Sequence, residues 1–143
     1  MASFNKFNCF VQDVASAVHD MKTGTVQVYK VYLSNTAPAV LNTAYNTPAD
    51  LSATNGYVAG GKSIGSITGS QTSGTFKFVG GTDPSWTASG GSIGPFRYAV
   101  LYNSTPPTKP LIGWWDYGAV VTLTNGNTFT VDLDQTNGIL TIS

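Results

Sequence analysis

The chain has 143 residues, with 7 basic and 7 acidic side chains for a formal net charge of zero, and only 10% of it is charged, against about 25% in a typical domain. That balance leaves no electrostatic footprint for nucleic acid or for an anionic membrane surface. A single cysteine, Cys9, excludes an intramolecular disulfide, and no Cys/His grouping has zinc spacing.

All seven acids are aspartates, so solubility rests on Ser, Thr, Asn and Gly. A surface with net charge near zero is weakly protected against association. No apolar run approaches the roughly 20 residues that a membrane-spanning helix needs. The start, MASFNKFNCF, lacks a basic stretch followed by an apolar one, so no secretory signal is expected. Synthesis in the cytosol, with no use of the general secretion route, is the expectation. A chain of this length buries roughly 68–70% of its unfolded surface, enough for one domain spanning 1–143.

In chain order, Phe7, Phe10, Val11, Val14, Ala15 and Val18 fall at helical spacing. They predict an amphipathic helix over about 4–20, with Ser3 or Asn5 as its cap and Gly24 as its end. TVQVYKVYLSN (25–35) carries apolar side chains on both faces, as a strand covered from both sides does. Residues 35–62 are punctuated by Pro38, Pro48, Asn55-Gly56 and Gly60-Gly61, which predicts a long irregular arm of the length that is usually functional or partly mobile.

From Ser63 onward, strands are expected near 63–68, 73–79, 84–88, 95–103, 110–117, 119–124, 128–133 and 138–142. In FRYAVLYN, alternation places Phe96, Tyr98, Val100 and Tyr102 on one face and Arg97, Ala99 and Leu101 on the other. VVTLTNGNTFTVDLD has the pattern of a hairpin turning at Asn125-Gly126. Short strands separated by Gly, Pro and Asn turns predict an all-β fold, a β-sandwich or barrel, with an N-terminal α-helix.

Candidate chemistry is sparse. Cys9 and His19 are ten residues apart, roughly 15 Å along a helix axis, so they read as a structural thiol and a surface histidine. Asp132-Leu-Asp134-Gln-Thr136-Asn137-Gly138 starts like a calcium loop, but the glycine comes one place late and no acid follows at position twelve. It reads as a strand ending in a turn. Gly56-Tyr-Val-Ala-Gly-Gly61-Lys62-Ser63 has the spacing of a phosphate loop, but a strand rather than a helix is expected after it, so no helix N-terminus is there to hold a phosphate. Asp116, between tryptophans and Tyr117, is the one acid placed for glycoside hydrolysis, and Asp83, Asp132 or Asp134 would have to partner it.

PLIGWWDYG (110–118) is the richest stretch. In a strand Trp115 and Tyr117 share one face while Trp114 and Asp116 share the other, so one tryptophan faces away from any single core. Three readings stay open for it: core filling, a protein contact of the kind that Trp and Tyr anchor, and sugar stacking.

Taken end to end, MASFNKFNCFVQDVA, LSNTAPA, NGYVAGG, GSIGPFRYAVLYN, PLIGWWDYG and FTVDLDQTNGILTIS resemble a family of small tailed-bacteriophage structural proteins, some of which look like capsid cement (decoration) proteins. The resemblance implies a jelly-roll-like β-sandwich on the capsid exterior of the virion, made in the host cytoplasm. Its partners would be the major capsid protein, whose subunits it bridges, and itself as a homodimer or other closed oligomer. It implies no catalytic motif, no cofactor and no metal. Candidate partner-binding residues are Phe4, Phe7 and Phe10 near the terminus, Tyr45 and Tyr57 of the arm, and Trp114, Trp115 and Tyr117. The alternative is a tail-associated receptor or carbohydrate-binding module that uses Trp114, Trp115 and Tyr117 as a stacking platform.

Overall fold

The computed structural model describes residues 2–24 and 26–143; Met1 and Thr25, the first residue of the expected strand 25–35, lie outside the described residues. Along the described chain run β1 (Phe4–Lys6), α1 (Cys9–Ala15), β2 (Tyr29–Ser34), a 3-10 turn (Thr47–Ala49), β3 (Lys62–Ser63), β4 (Ile67–Thr72) and β5 (Thr75–Gly80). They are followed by β6 (Ser85–Thr87), β7 (Ile93–Asn103), β8 (Leu111–Leu123), β9 (Thr128–Thr130) and β10 (Leu140–Ile142). Strands make up 43% of the chain against one short helix, which places it in the all-β class. Every strand pairing is antiparallel.

Three sheets form. The largest has the order β1-β8-β7-β2-β3, the second β10-β5-β4, and the third pairs β6 with β9. Side chains from all three meet in one core. Tyr29, Val31 and Leu33 of β2, Ala99 and Leu101 of β7, and Ile112 and Trp115 of β8 join Ile67 and Phe78 of the second sheet and Trp86 of the third. Full burial of each large apolar side chain stabilises the fold by about 1.5–3 kcal/mol.

The five-stranded sheet has a second apolar face. Tyr32, Val100, Tyr102 and Leu111 alternate with the core residues of the same strands and gather with Phe7 in a separate outer cluster. The two-sided cover expected for β2 is therefore present, since five of its six residues are buried. β3 comes so close to β2 that a Cβ on Gly61 would sit 1.8 Å from the Val31 carbonyl oxygen, and Gly61 takes a φ of +70°.

Several expectations are corrected. The helix expected over 4–20 covers only Cys9–Ala15. Phe4 to Lys6 is drawn instead into the sheet, where Phe4 pairs with Trp115, and Ala17 ends the helical run with a φ of +57°. Gly24 is not its end but forms a bridge with Ile67. Helical spacing had grouped Phe7 with Phe10, yet Phe7 lies in the outer cluster and Phe10 in the main core, because the chain crosses the sheet edge between them. Strands expected at 110–117 and 119–124 are one strand, β8.

The turn at Asn125-Gly126 exists, closed by Asn127 N–H donating to the Thr124 carbonyl at 3.0 Å, but it is no hairpin. β8 stays with β7 up to Leu123 while β9 leaves to pair with β6. Register slips between Phe96 and Tyr98, so Phe96 joins the main core while Tyr98 and Val100 face the outer cluster on the sheet's other side. Asp134 takes a φ of +43° and its carboxylate accepts from the N–H groups of Thr136 and Asn137, so the calcium-like stretch is a turn.

Truncating Leu101, fully buried in β7, to alanine should cost about 2–5 kcal/mol in urea unfolding. Val120→Ala, at a position 61% exposed, should change stability by less than about 0.5 kcal/mol.

Candidate interaction surface

The segment 35–62 is a cover, not a free arm. Its prolines and glycines prevent a long ladder, so its backbone finds partners one at a time. Asn8 N–H donates to the Val40 carbonyl at 3.0 Å, Leu111 N–H to Thr43 at 3.0 Å, and Tyr45 N–H to Lys109 at 2.9 Å. The outer edge of β2, left open beyond the two-residue β3, is closed by Leu51 N–H donating to the Leu33 carbonyl at 3.1 Å and by Leu33 N–H donating to the Tyr57 hydroxyl at 3.0 Å.

Asp50 is the polar hub of this cover. Its buried carboxylate accepts from the Tyr45 hydroxyl at 2.8 Å, from the Tyr57 hydroxyl and from Gly60 N–H. A buried carboxylate is tolerated when its oxygens are satisfied in this way. Burial first, and then the hydrogen bond to Asp50, push the Tyr45 phenol up to about 12 and the Tyr57 phenol higher still. Tyr45 stacks on Tyr102 at 4.9 Å and 21°, and meets Tyr32 edge-on at 5.2 Å. The Tyr102 hydroxyl donates to the Gly60 carbonyl at 2.8 Å.

Outward, the cover mixes exposed Asn, Ser and Thr with several exposed apolar side chains. Leu41 is 75% exposed, and Val58 and Val40 are also exposed, as is Val11 on the neighbouring α1. A cleft of about 480 Å³ opens between Leu41, Asn42 and Asn46 of the cover and a floor of Phe7, Tyr32, Val100 and Leu111.

A second feature lies on β8. Tyr98 pairs with Asp116 and Phe96 with Val121, so Arg97 alone opposes residues 117–120, a wide bulge of the kind that re-aims side chains. Tyr117 and Val120 are thereby turned outward. Arg97 clamps the base of the bulge, with Nε donating to Asp116 Oδ1 at 2.7 Å and Nη2 to Oδ2 at 2.9 Å, while Gly118 N–H donates to Oδ1 at 2.8 Å. These bonds hold the Asp116 carboxyl below the usual carboxylate range. The Tyr117 ring meets Phe129 edge-on at 5.7 Å. Beneath it is a cleft of about 170 Å³ lined by Phe96, Arg97, Trp115, Tyr117, Phe129 and Asp132.

The eight candidate contact residues therefore separate. Phe7, Phe10, Tyr57 and Trp115 are buried in the chain's own clusters and are corrected from surface candidates to core residues. Phe4 lies half-buried on Trp115 at 4.9 Å, Trp114 on Phe7 at 4.5 Å, and Tyr45 on Tyr102. Tyr117 is the one of the eight that stands exposed. The three rings of PLIGWWDYG thus do not share one open platform. Leu41, Val58 and Val120 were missed as surface residues, since an isolated apolar residue in a loop or strand pattern reads as core filling. His19, read as a surface histidine, is buried. Among the described residues no three His, Cys, Asp or Glu side chains gather to hold a metal ion, and no helix is long and apolar enough to cross a membrane.

Comparisons of the chain with protein-family models, with curated proteins and with solved structures found no match.

Replacing Asp50 by alanine leaves the buried Tyr57 hydroxyl, the half-buried Tyr45 hydroxyl and the Gly60 N–H without their acceptor, and should cost about 2–3 kcal/mol in urea unfolding. Tyr57→Phe should cost about 1–2 kcal/mol. Because both act on one network, the double variant should lose measurably less than the sum.

Proposed function

We propose that the chain is a non-enzymatic virion structural protein that binds the outer surface of a phage capsid and bridges major capsid protein subunits to stabilise the shell. The proposal includes a jelly-roll-like β-sandwich as the finer fold class, one domain over 1–143, and self-association as a homodimer or other closed oligomer. It is made in the host cytoplasm and resides on the capsid exterior.

The observation that carries this reading is a set of exposed apolar side chains on braced backbone. Leu41 and Val58 stand on a segment fixed from beneath by Asp50, and Tyr117 and Val120 on a bulge fixed by Arg97 and Asp116. Apolar contacts held rigid before binding lose little entropy on docking. A charge-poor surface around them sets up little repulsion between copies. Many such modest contacts, repeated over a shell, gain avidity from multiplicity.

A second reading is favoured by the cleft that Trp115 and Tyr117 share with Arg97 and Asp132. There a tail-associated module would hold a host sugar against Tyr117. Host glycan added to the protein would then quench tryptophan fluorescence, which capsid docking does not require.

Copy number in purified particles decides between them. One copy per major capsid subunit, or another simple fraction of the shell, is expected for cement; a handful of copies would place the protein in the tail. Changing Leu41, Val58 and Val120 together to serine should leave the unfolding midpoint nearly unchanged and weaken retention on particles by roughly tenfold or more. Full retention would remove these residues from the contact.

A further inference from the structure

His19 is the chain's one histidine, and its side chain is 0% exposed. Its Nδ1 lies 3.3 Å from the side-chain amide nitrogen of Asn103, at the end of β7. Asn103 is itself fully buried, and two bonds fix which way its amide points. Its Nδ2 donates to Gln27 Oε1 at 2.6 Å, and its Oδ1 accepts from Thr105 N–H at 3.2 Å. Asn103 therefore presents an N–H to the imidazole, and Nδ1 is the nitrogen that accepts. The ring proton sits on Nε2, which is buried without a hydrogen-bond partner. The carboxylate facing it, Asp13 Oδ2 of α1, is 3.9 Å away.

A second proton would turn both ring nitrogens into donors. Nδ1–H would then meet the Asn103 N–H head-on, and the amide cannot turn over without losing Gln27 and Thr105. Gln27 Oε1 offers no relief, because both its lone pairs are taken, by Asp20 N–H at 2.7 Å and by Asn103 Nδ2 at 2.6 Å. The titratable and charged groups around the ring are Asp13 from α1, Asp20 with its partner Lys22 from the following turn, and the Tyr29 phenol from β2; β7 contributes only the neutral Asn103. Protonation thus opposes a locked donor on one side and leaves only a carboxylate that must move to pair on the other.

We propose that His19 is an acid-sensitive latch: neutral, it holds the 9–20 segment on the sheet, and protonated, it lets that segment go. What it holds has consequences for the surface. The Phe10 ring, part of the main core, lies 5.6 Å from the His19 ring. α1 also walls an apolar groove of about 440 Å³ that it shares with Phe4 of β1 and with Leu140 and Ile142 of β10. Release of the segment would bare both. This inference stands apart from the capsid reading and would hold in a tail protein as well.

The direction of the pH dependence follows from burial. Burial lowers the His19 pKa from its ordinary 6.5 by more than Asp13 raises it, so the unfolded chain takes the proton more readily than the folded one. The latch contributes its full stability above about pH 6.5 and loses it as the pH falls below that value, toward the lower folded pKa.

Because there is one histidine, its ring resonance in an NMR titration of the full chain needs no assignment by mutation. Its midpoint should fall below about 6.5. Over the same range the amides of Ser16 and Val18, which donate to the Gln12 and Asp13 carbonyls, should lose protection. Corrected for intrinsic rate, they should exchange roughly tenfold faster at about pH 5 than at about pH 7.5. His19→Asn, which keeps an acceptor for Asn103 but cannot take the proton, should flatten that dependence. Asp13→Asn, which removes the carboxylate facing Nε2, should make the acid loss larger. A histidine midpoint at or above the ordinary value, or equal protection of those amides at both pH values, would overturn the proposal, and both are read on the unmodified chain even if a variant fails to fold.

Discussion

The five-stranded sheet is apolar on both faces, and the rest of the molecule is arranged to cover it. Tyr29, Val31 and Leu33 of β2 point into the main core while Tyr32 points the other way. Burying one face calls for the two smaller sheets. Burying the other calls for something that is not a sheet, and the chain supplies the irregular segment 35–62 together with Phe7. A segment with two prolines and several glycines cannot make a continuous ladder. Its hold on the sheet therefore depends on scattered backbone bonds, on stacked tyrosines, and on one carboxylate, Asp50, that ties three of its own donors together.

Scarcity of charge gives this arrangement its character. With seven acids and seven bases in the chain, the charged and strongly polar groups that matter most are inside networks. Asp50 anchors the cover, the Arg97–Asp116 pair clamps the β8 bulge, and Asn103 with Gln27 and His19 joins the N-terminal segment to β2 and β7. Unpaired, such groups would each be costly to bury; satisfied, they fix where each irregular piece sits. The outcome is a surface on which Leu41, Val58, Tyr117 and Val120 are displayed from anchored positions. That display is the feature on which the proposed capsid-binding role draws.

The single histidine shows how the setting of a residue can hide in such a network. As one position past an apolar stripe it carries no signal. Its meaning comes from Asn103, 84 residues further along, whose amide is locked by groups from two other parts of the chain.

Period and composition alone determined that the chain is built of strands in the all-β class, that β2 is covered on both sides, that 35–62 is largely irregular, and that Asp132–Gly138 ends in a turn. These are local properties, set by alternation and by the backbone preferences of Gly, Pro and Asn. The tertiary structure decided the rest. Phe4–Lys6 became a strand because β8 offered it an edge, which outweighed a weak helical preference. The Asn125-Gly126 turn kept its local geometry but lost its hairpin, since β6 competed for β9. A register slip at Phe96–Tyr98 and the wide bulge at 117–120 turned Phe96 inward and Tyr117 outward, and no pattern of period two can encode a residue count that differs between paired strands. Burial of Tyr57 and Trp115, and exposure of Leu41 and Val58, were settled in the same way, because which side of a chain meets solvent depends on partners that are distant in sequence.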